Sequence, residues 1–500
     1  MTYQKKSKDR QEKTSRSGNT ENQENKVSRR TITRPYRIVS WFSIILFVSL
    51  IAYIVYFQLE EKDKYANNSY NIRQQEAEAQ VTRGSILASD GTTVLAKTVT
   101  DENGNEKREY PYNSLFAHTV GYQVYGGSGL ELAQNSVLTT SHANIVTQVQ
   151  NDLQEEKKQG DNLVTTLNPT LQQEAQNLLG NMQGAIFVMD EDTGDVLVDW
   201  SNPSFDANTV EDNWDSLVSS DDGVFMNRAT QGLYPPGSTF KMITALAYYR
   251  QYGTFDNFSY NCTGSYEESG FTIHCASYEQ HGQEDFEDAM ANSCNCAFAY
   301  MAVNMIDPEI LRETAESFGF NKEMDILLPY SESTFSLTSD SPTALYMQTA
   351  IGQGDTEASP MMMCMVADAI ANGGNMMLPN FVSGVVSADG RQVSGSQSKA
   401  YGQVMTADEA SALAGVMKGV TQYGTASELS SYPYNIIGKT GTAEYGDVSS
   451  GLAHSWFVGW SNTGNNDIVV SVLVEGGGNG VYKAAPLAGE MFNTYFGAAG

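Results

Sequence analysis

Positive charge is scarce in this sequence. Thirty lysines and arginines stand against 59 aspartates and glutamates, and the formal net charge is -29. A nucleic-acid-binding surface needs a high density of basic residues to neutralise phosphates, so nucleic acid is excluded as a partner. The N-terminal tail is the exception, because 11 lysines and arginines and only 4 acidic residues precede residue 38. The remainder of the chain is therefore more acidic than the average suggests.

Long apolar runs are also scarce, and one stands out near the N-terminus. Ile38 to Leu59 carry no formal charge, and these 22 residues are long enough as a helix to span a bilayer core of about 30 Å. Arg37 precedes the run and Glu60 follows it, so the positive-inside rule predicts a cytoplasmic N-terminus and places residues 60–500 outside the cell. Bulky aromatic residues at its end indicate an uncleaved, single-pass anchor in the cell membrane.

Cysteine is rare, and the count is odd. The five cysteines are Cys262, Cys275, Cys294, Cys296 and Cys364. Cys262 and Cys275 lie in one loop-like stretch and predict a disulfide outside the cell, worth about 3 kcal/mol by loop-closure entropy. A metal site that combines the cysteines with His274 and His281 is the less favoured alternative. We therefore expect no metal and no other cofactor.

The motif around which the chain is organised begins at Ser238. A Pro-Pro-Gly run before Ser238 predicts a turn, and the apolar spacing after it predicts a helix that stops at Gly253. Lys241 lies three residues after Ser238, so the two side chains share one helix face. A serine hydroxyl becomes a strong nucleophile when a neighbouring base takes its proton. A lysine serves as that base when desolvation or a second cation lowers its pKa.

The Ser-x-x-Lys pattern alone has little specificity. Ser396 and Lys399 match it too, in a Gly/Ser-rich stretch without a helical pattern. The plain interpretation of Ser238 and Lys241 is an ordinary helix start with a surface lysine. Context decides between the two interpretations.

Two further motifs supply that context. Ser293-Cys294-Asn295 lies in a segment from Phe286 to Met305 that is predicted as a helix or helix start. Lys439-Thr440-Gly441-Thr442 lies within a predicted strand, residues 434–445. Ser-x-x-Lys, Ser-x-Asn and Lys-Thr-Gly in this order form the signature of serine penicillin-binding and β-lactamase chemistry.

The chain resembles the class B penicillin-binding proteins, which are monofunctional peptidoglycan transpeptidases. The resemblance runs from about residue 83 to the C-terminus and rests on Arg83-Gly84-Ser85-Ile86, Gly129-Leu130-Glu131, Leu167-Asn168-Pro169, Asn227-Arg228-Ala229, Pro236-Gly237-Ser238-Thr239-Phe240-Lys241, Ser293-Cys294-Asn295, Gly352-Gln353-Gly354, Lys439-Thr440-Gly441-Thr442 and His454-Ser455-Trp456-Phe457-Val458-Gly459. Residues 110–122 look most like the short PbpA-type members of Gram-positive bacteria.

Four segments follow from the pattern and the resemblance. Residues 1–37 are predicted as a disordered cytoplasmic tail, and residues 38–59 as the anchor. Residues 60–160 are polar and mixed, and the resemblance makes them a small non-catalytic pedestal that binds partners, with Arg83 and Glu131 as a structural ion pair. Residues 161–500 have strands first and last with helices between, which predicts an α+β domain with helices packed on an antiparallel sheet.

The resemblance implies a role for each motif residue. The catalytic residues are Ser238, Lys241, Ser293, Asn295 and Lys439. Ser238 is the nucleophile that cleaves a D-Ala-D-Ala stem peptide, and Lys241 takes its proton. Lys439 is a second cation that lowers the pKa of Lys241 and holds the substrate carboxylate. Ser293 and Asn295 relay a proton and position the substrate.

A substrate-binding strand completes the implied site. Thr440, Gly441 and Thr442 align the substrate as an added β-strand, and Gly441 permits close approach. The oxyanion lies between the backbone N–H groups of Ser238 and Thr442. β-Lactams mimic the D-Ala-D-Ala end and acylate Ser238. The pedestal is too short for a glycosyltransferase domain, which implies a separate membrane glycosyltransferase of the SEDS type as partner.

Other functions remain open from the sequence alone. A D,D-carboxypeptidase would use the same residues with water in place of the acceptor amine. A β-lactamase is less favoured, because no Glu-x-x-Leu-Asn lies between Ser293 and Lys439. From a different class, the chain could be a β-lactam sensor or a catalytically silent cell-wall scaffold. The intact motif residues argue against a catalytically inactive protein.

Overall fold

A computed structural model describes residues 36–57, 81–144, 157–396, 398–445 and 452–498. The chain forms two units, residues 1–71 and residues 72–500, which are described separately. The predicted disordered tail up to residue 35 and the start of the predicted pedestal up to residue 80 lie outside the described residues.

The first unit contains a long apolar helix, α1 (Tyr36–Tyr56), of 21 residues with a mean hydropathy of 2.5. At 1.5 Å per residue, α1 is about 30 Å long, which matches the hydrocarbon core of a bilayer. The helix begins two residues before the predicted anchor, and its large side chains, such as Phe42, are exposed within the unit. Its length and composition are those of a membrane-spanning helix.

The second unit begins with a six-stranded sheet and short helices. Its strands are β2 (Ile86–Leu87), β3 (Val94–Thr100), β4 (Glu106–Glu109), β6 (Asn162–Thr165), β14 (Val382–Val386) and β15 (Gln392–Ser394), in the spatial order β15-β14-β6-β2-β3-β4. A separate parallel pair joins β1 (Val81–Thr82) and β5 (Lys158–Gln159), and the helices are α2 (Ala117–Val120), α3 (Gly129–Ala133) and α4 (Asn135–Leu138). The sheet thus continues past residue 160 and takes two strands from much later in the chain.

A buried ion-pair group links the strands to the helices of this region. One carboxylate oxygen of Glu131 lies 2.6 Å from Nε of Arg83, and the other lies 2.6 Å from Nε of Arg108. All three side chains are buried. Burial alone would raise the pKa of Glu131, but the two arginines hold it below its usual range. The predicted structural pair of Arg83 and Glu131 is confirmed, and Arg108 is a third member.

A five-stranded antiparallel sheet forms the centre of the second unit. Its strands are β7 (Gly184–Asp190), β8 (Val196–Asn202), β17 (Ile437–Glu444), β18 (Ala453–Trp460) and β19 (Ile468–Val474), in the order β17-β18-β19-β7-β8. Every residue of β18 and β19 is buried, so both faces of the sheet are covered. The predicted order of strands first and last with helices between is confirmed, as is the α+β class.

Helices and small ribbons surround this sheet. The helices are α5 (Pro169–Leu179), α6 (Val210–Val218), α7 (Lys241–Tyr252), α8 (Phe286–Ala291), α9 (Asn295–Met305), α10 (Pro308–Ser317), α11 (Thr343–Thr349), α12 (Pro360–Ala371), α13 (Ala407–Gln422) and α14 (Ala484–Ala498). The remaining strands are β9 (Tyr260–Cys262), β10 (Ser265–Glu268), β11 (Phe271–His274), β12 (Gly282–Glu284), β13 (Asn375–Met377) and β16 (Ala400–Gln403). Helices α12 and α14 pack on the five-stranded sheet.

The helix predicted over residues 286–305 is interrupted. Helix α8 ends at Ala291, and α9 begins at Asn295. Between them, Ser293 has a φ of 56°, in the left-handed region, which no α-helix can contain. The sequence pattern missed this break because apolar residues on both sides continue the helical spacing. The break matters because it turns the backbone at the Ser-x-Asn motif.

Candidate active site

The turn before Ser238 packs against strand β17. Gly237 has a φ of 53°, and a Cβ placed there would lie 2.6 Å from the carbonyl oxygen of Thr442. Glycine is therefore required at this position, both for the backbone conformation and for the close approach. A short 3-10 turn, Gly237–Phe240, leads directly into α7, which ends at Gly253 as predicted. Half-buried Ser238 thus lies at the start of a helix and beside the Lys-Thr-Gly strand.

Lys241 is fully buried one turn after Ser238, which excludes the plain interpretation of a surface lysine. Its Nζ donates hydrogen bonds to Oδ1 of Asn295 at 2.7 Å and to the carbonyl oxygen of Ser293 at 2.7 Å. The hydroxyl of Ser293 lies 3.2 Å from the same nitrogen. Burial lowers the pKa of Lys241 to about 8. With this pKa, on the order of a tenth of the lysine is neutral at pH 7, and the neutral amine is the form that a general base requires.

The Ser-x-Asn motif reaches Lys241 because of the break between α8 and α9. Cys294 caps α9, and its sulfur accepts a hydrogen bond from the N–H of Ala297. Nδ2 of Asn295 donates to the carbonyl oxygen of His274 at 3.0 Å, which fixes the amide with its oxygen toward Lys241. Both motif side chains therefore point to one ammonium group.

Lys439 is the second buried cation. Its Nζ donates to the carbonyl oxygen of Thr440 at 3.1 Å, and the side chain is fully buried on β17. Burial, followed by the charge of Lys241, lowers the pKa of Lys439 well below its ordinary value. The sequence predicted that Lys439 would lower the pKa of Lys241; desolvation is instead the main cause of that shift.

Gly441 is tightly enclosed by protein atoms. A Cβ at this position would lie 2.9 Å from Cβ of Trp456 and 3.0 Å from Cγ2 of Thr239. The sequence-based explanation was close approach by substrate. The structure gives an internal reason as well, since a side chain here would separate β17 from the turn that carries Ser238 and from Trp456 on β18.

The site also contains a residue that the sequence analysis missed. Oγ1 of Thr425 lies 2.7 Å from Oγ1 of Thr440, so the two hydroxyls share a hydrogen bond. Thr425 follows the C-terminus of α13, and its N–H donates to the carbonyl oxygen of Ala291 at the end of α8. A Gly-Thr pair after a helix was the available signal, but it has no fixed spacing to the other motifs.

The structure separates the second Ser-x-x-Lys match from this site. Nζ of Lys399 lies 2.6 Å from Oδ2 of Asp325, and both side chains are exposed. The hydroxyl of Ser396 accepts a hydrogen bond from Nδ2 of Asn380. This match is a surface feature.

His454 is a buried residue at the edge of the core. Its ring stacks on Tyr445 with centroids 4.1 Å apart, and Nδ1 accepts a hydrogen bond from the N–H of Gly476. Burial lowers its pKa. Nearby, the hydroxyl of Tyr234 donates to Oε1 of Glu475 at 2.7 Å.

The predicted disulfide between Cys262 and Cys275 is wrong. All five cysteines are free and buried, and the sulfur atoms of Cys262 and Cys275 lie 3.7 Å apart. A disulfide bond requires about 2.05 Å. The sequence prediction considered only neighbours along the chain, whereas the fold brings Cys294 and Cys296 to the same place.

Two regions of the chain match domain models of the penicillin-binding proteins. Residues 184–494 match the penicillin-binding protein transpeptidase domain, and residues 83–163 match the penicillin-binding protein A dimerisation domain. The chain is 30% identical to the peptidoglycan D,D-transpeptidase PbpA of Mycobacterium tuberculosis over 420 residues, covering 79% of this chain and 84% of that protein. It is 26% identical to MrdA of Escherichia coli, covering 75% of this chain and 69% of that protein.

Solved structures agree with this assignment. A D,D-transpeptidase domain from Eggerthella lenta has a TM-score of 0.75 and 31% identity, covering 84% of this chain and 99% of that one. The imipenem acyl-enzyme of penicillin-binding protein A from M. tuberculosis has a TM-score of 0.75 and 25% identity, covering 83% of this chain and 99% of that one. With the transpeptidase-domain match covering more than half of its length, the chain belongs to the penicillin-binding protein transpeptidases.

Proposed function

We propose that this chain is a membrane-anchored peptidoglycan D,D-transpeptidase that cross-links stem peptides through an acyl-enzyme on Ser238. The observation that carries the proposal is the position of Lys241. Its ammonium is buried one helical turn after Ser238 and is held by Ser293 and Asn295. A buried lysine with a lowered pKa beside a serine is an arrangement suited to nucleophile activation.

Acylation begins at the hydroxyl of Ser238. Its oxygen attacks the carbonyl carbon of the penultimate D-alanine, and the hydroxyl proton passes to neutral Lys241. The backbone N–H groups of Ser238 and Thr442 stabilise the oxyanion, and one such donor is typically worth about 3 kcal/mol. The C–N bond then breaks, a proton passes from Lys241 through Ser293 to the leaving amine, and terminal D-alanine departs.

Deacylation completes the cross-link. An amine from a neighbouring stem peptide attacks the ester carbonyl, a new C–N bond forms, and the C–O bond to Ser238 breaks. The amine proton returns through the same groups to the serine oxygen. A β-lactam follows only the first half, because ring opening leaves the cleaved amine tethered to the acyl group. Binding of β-lactams is thus part of the proposal.

Strand β17 is assigned to substrate binding. An extended peptide adds to its edge beside Thr440, Gly441 and Thr442, and main-chain hydrogen bonds hold it in register. The substrate carboxylate lies near Lys439 and Thr440. The shared hydrogen bond between Thr440 and Thr425 fixes the Thr440 hydroxyl for this contact.

Helix α1 is proposed as a single membrane anchor with the N-terminus in the cytoplasm. The excess of lysine and arginine before residue 38 supports this orientation. In this orientation the catalytic region is extracellular, where peptidoglycan is assembled. The region around residues 83–163 is proposed as the pedestal that contacts a SEDS-type glycosyltransferase, which would supply the glycan strands.

A D,D-carboxypeptidase is the alternative function for the same site, with water as acceptor. The two are separated by incubating the full chain in detergent with a D-Ala-D-Ala stem peptide and a labelled D-amino acid or stem-peptide amine. A transpeptidase incorporates the label into the peptide while D-alanine is released. Release of D-alanine without incorporation would favour the carboxypeptidase, and neither product would indicate a silent scaffold.

A further inference from the structure

Three thiols and an imidazole converge behind the Ser-x-Asn motif. We call this group the thiol–imidazole cluster, and its members are Cys262, Cys275, His281 and Cys294. The candidate ligand atoms of these four side chains all lie within 4.8 Å of one another. The three thiols are almost completely buried, and the imidazole is 9% exposed. These residues come from four separate segments: the end of β9, the residue after β11, the residue before β12 and the cap of α9.

The sulfur positions suit a tetrahedral ion. The sulfur of Cys275 lies 3.7 Å from that of Cys262 and 3.7 Å from that of Cys294. Ligands placed 2.3 Å from a tetrahedral zinc ion lie about 3.8 Å apart. Two sulfurs in simple packing contact would have a similar separation, so the distances alone do not identify a site. The convergence of three such sulfurs with an imidazole nitrogen does.

The imidazole supplies an independent observation. Nδ1 of His281 is buried and has no hydrogen-bond partner among the described residues. A buried ring nitrogen without a hydrogen-bond partner lowers the stability of a protein core, so its presence here needs an explanation. The ring also has two carboxylates nearby, Oε1 of Glu284 at 3.9 Å from Nδ1 and Oε2 of Glu279 at 3.8 Å from Nε2. Histidine ligands commonly have a carboxylate beside the nitrogen that faces away from the metal.

We propose that the thiol–imidazole cluster binds one structural Zn²⁺ ion. Three thiolates and one neutral imidazole are a ligand set that zinc prefers, and four protein ligands close the coordination shell. On binding, the three thiols lose their protons to solvent and no electron is transferred. The ion therefore holds together the ribbons β9–β12 and the start of α9. This proposal replaces the expectation from the sequence that the chain carries no metal.

The ion would position the catalytic motif without touching substrate. Cys294 lies between Ser293 and Asn295, the two residues that hold the ammonium of Lys241. Cys275 directly follows His274, whose carbonyl oxygen accepts the hydrogen bond from Asn295. One zinc ion thus fixes two backbone segments that orient the Asn295 amide. One segment contains Asn295 itself, and the other contains His274, which accepts its hydrogen bond. Its ligands are positioning residues for the acyl-transfer site.

Cys296 is a nearby thiol that the proposal leaves outside the coordination shell. Its sulfur lies 3.4 Å from that of Cys275, but it also contacts the carbonyl oxygen of Ile273 at 3.7 Å. It belongs to the first turn of α9 and is fully buried. Substitution of Cys296 therefore tests whether the fourth ligand is the imidazole or this thiol.

The test is zinc analysis of the full chain, produced with zinc in the medium and purified in detergent without a chelator. The wild type should contain about one zinc per chain, and Cys275→Ala should contain less than about a tenth of that. Cys364→Ala is the matched control, because Cys364 is an equally buried cysteine outside the cluster. It should retain zinc, as should Cys296→Ala, whereas His281→Ala should lose most of it.

A second measurement on the wild type avoids variants that fail to fold. Titration of the thiols with an organic mercurial, in the presence of a chromogenic zinc dye, should release zinc in proportion to the first thiols modified. Exchange with Co²⁺ should give a thiolate-to-cobalt charge-transfer band. Release of zinc should also slow penicillin acylation. A wild type without zinc whose Cys275 is found in a disulfide by mass spectrometry, or zinc retained in folded Cys275→Ala, would overturn the proposal.

Discussion

Oδ1 of Asn295, a half-buried residue just after the break between helices α8 and α9, lies 2.7 Å from Nζ of the fully buried Lys241. This contact links the first and second motifs of the signature. It fixes the ammonium one helical turn from Ser238. The account of catalysis given above depends on this geometry, and each of the following outcomes tests a part of it.

Removal of the proposed base should nearly abolish acylation. Lys241→Ala is expected to lower the second-order rate of acylation by penicillin by about 10²–10⁴-fold, the usual contribution of a general base. Lys399→Ala is the matched control, since Lys399 belongs to the surface Ser-x-x-Lys match. Stopped-flow or quenched labelling measures both rates. Equal rates in Lys241→Ala and the wild type would show that another group takes the serine proton.

The rate of acylation should depend on pH through the same lysine. Burial lowers the pKa of Lys241 to about 8, and the neutral amine is the active base. The rate constant should therefore rise as pH increases from about 6, reach half of its maximum near pH 8 and level off about one unit higher. A profile measured with a neutral β-lactam avoids titration of the ligand. A rate that falls over this range would mean that the protonated lysine is the active form.

Gly441 should tolerate no side chain. In Gly441→Ala the new Cβ would collide with Cβ of Trp456, so we expect a loss of about 1–3 kcal/mol in stability and a displaced β17. Gly415→Ala in helix α13 is the matched control, because a Cβ there meets nothing within 4 Å. That change should be neutral or stabilising by about 0.5–1 kcal/mol. Thermal unfolding compares the two; similar melting temperatures would contradict the packing argument.

The buried ion-pair group should matter for stability but not for chemistry. Glu131→Ala leaves Arg83 and Arg108 buried without their partner and should cost about 3–5 kcal/mol in unfolding free energy. Glu109→Ala, which removes the exposed partner of Lys97, should cost less than about 1 kcal/mol. Denaturant unfolding measures both losses in unfolding free energy. If both were small and equal, water would be solvating the two arginines in place of Glu131.

The motifs and the class of fold were predictable because they depend on local order along the chain. The turn before Ser238, the stop at Gly253 and the late strands follow from short-range patterns. The resemblance then assigned roles to the motif residues, and the structure brings the three motifs together. Burial of Lys241 decides between a base and a surface lysine, and no local pattern encodes it.

Long-range contacts account for most of what the sequence analysis missed. Strand β14 pairs with β6, more than 200 residues earlier, and brings its neighbour β15 into the same sheet, which no local pattern predicts. The disulfide prediction failed because four cysteines meet in the fold, so that Cys275 contacts Cys294 and Cys296 as well as Cys262. The break at Ser293, whose backbone is left-handed, was missed because the apolar residues on both sides continue the helical spacing.

Covalent labelling of the full chain by a fluorescent penicillin tests the central claim most directly. The account predicts a stable labelled band for the wild type and for Ser396→Ala, and none for Ser238→Ala. Digestion of the labelled wild type should place the adduct on the peptide that contains Ser238. Labelling that persists in Ser238→Ala, or is lost equally in Ser396→Ala, would contradict the assignment of the nucleophile.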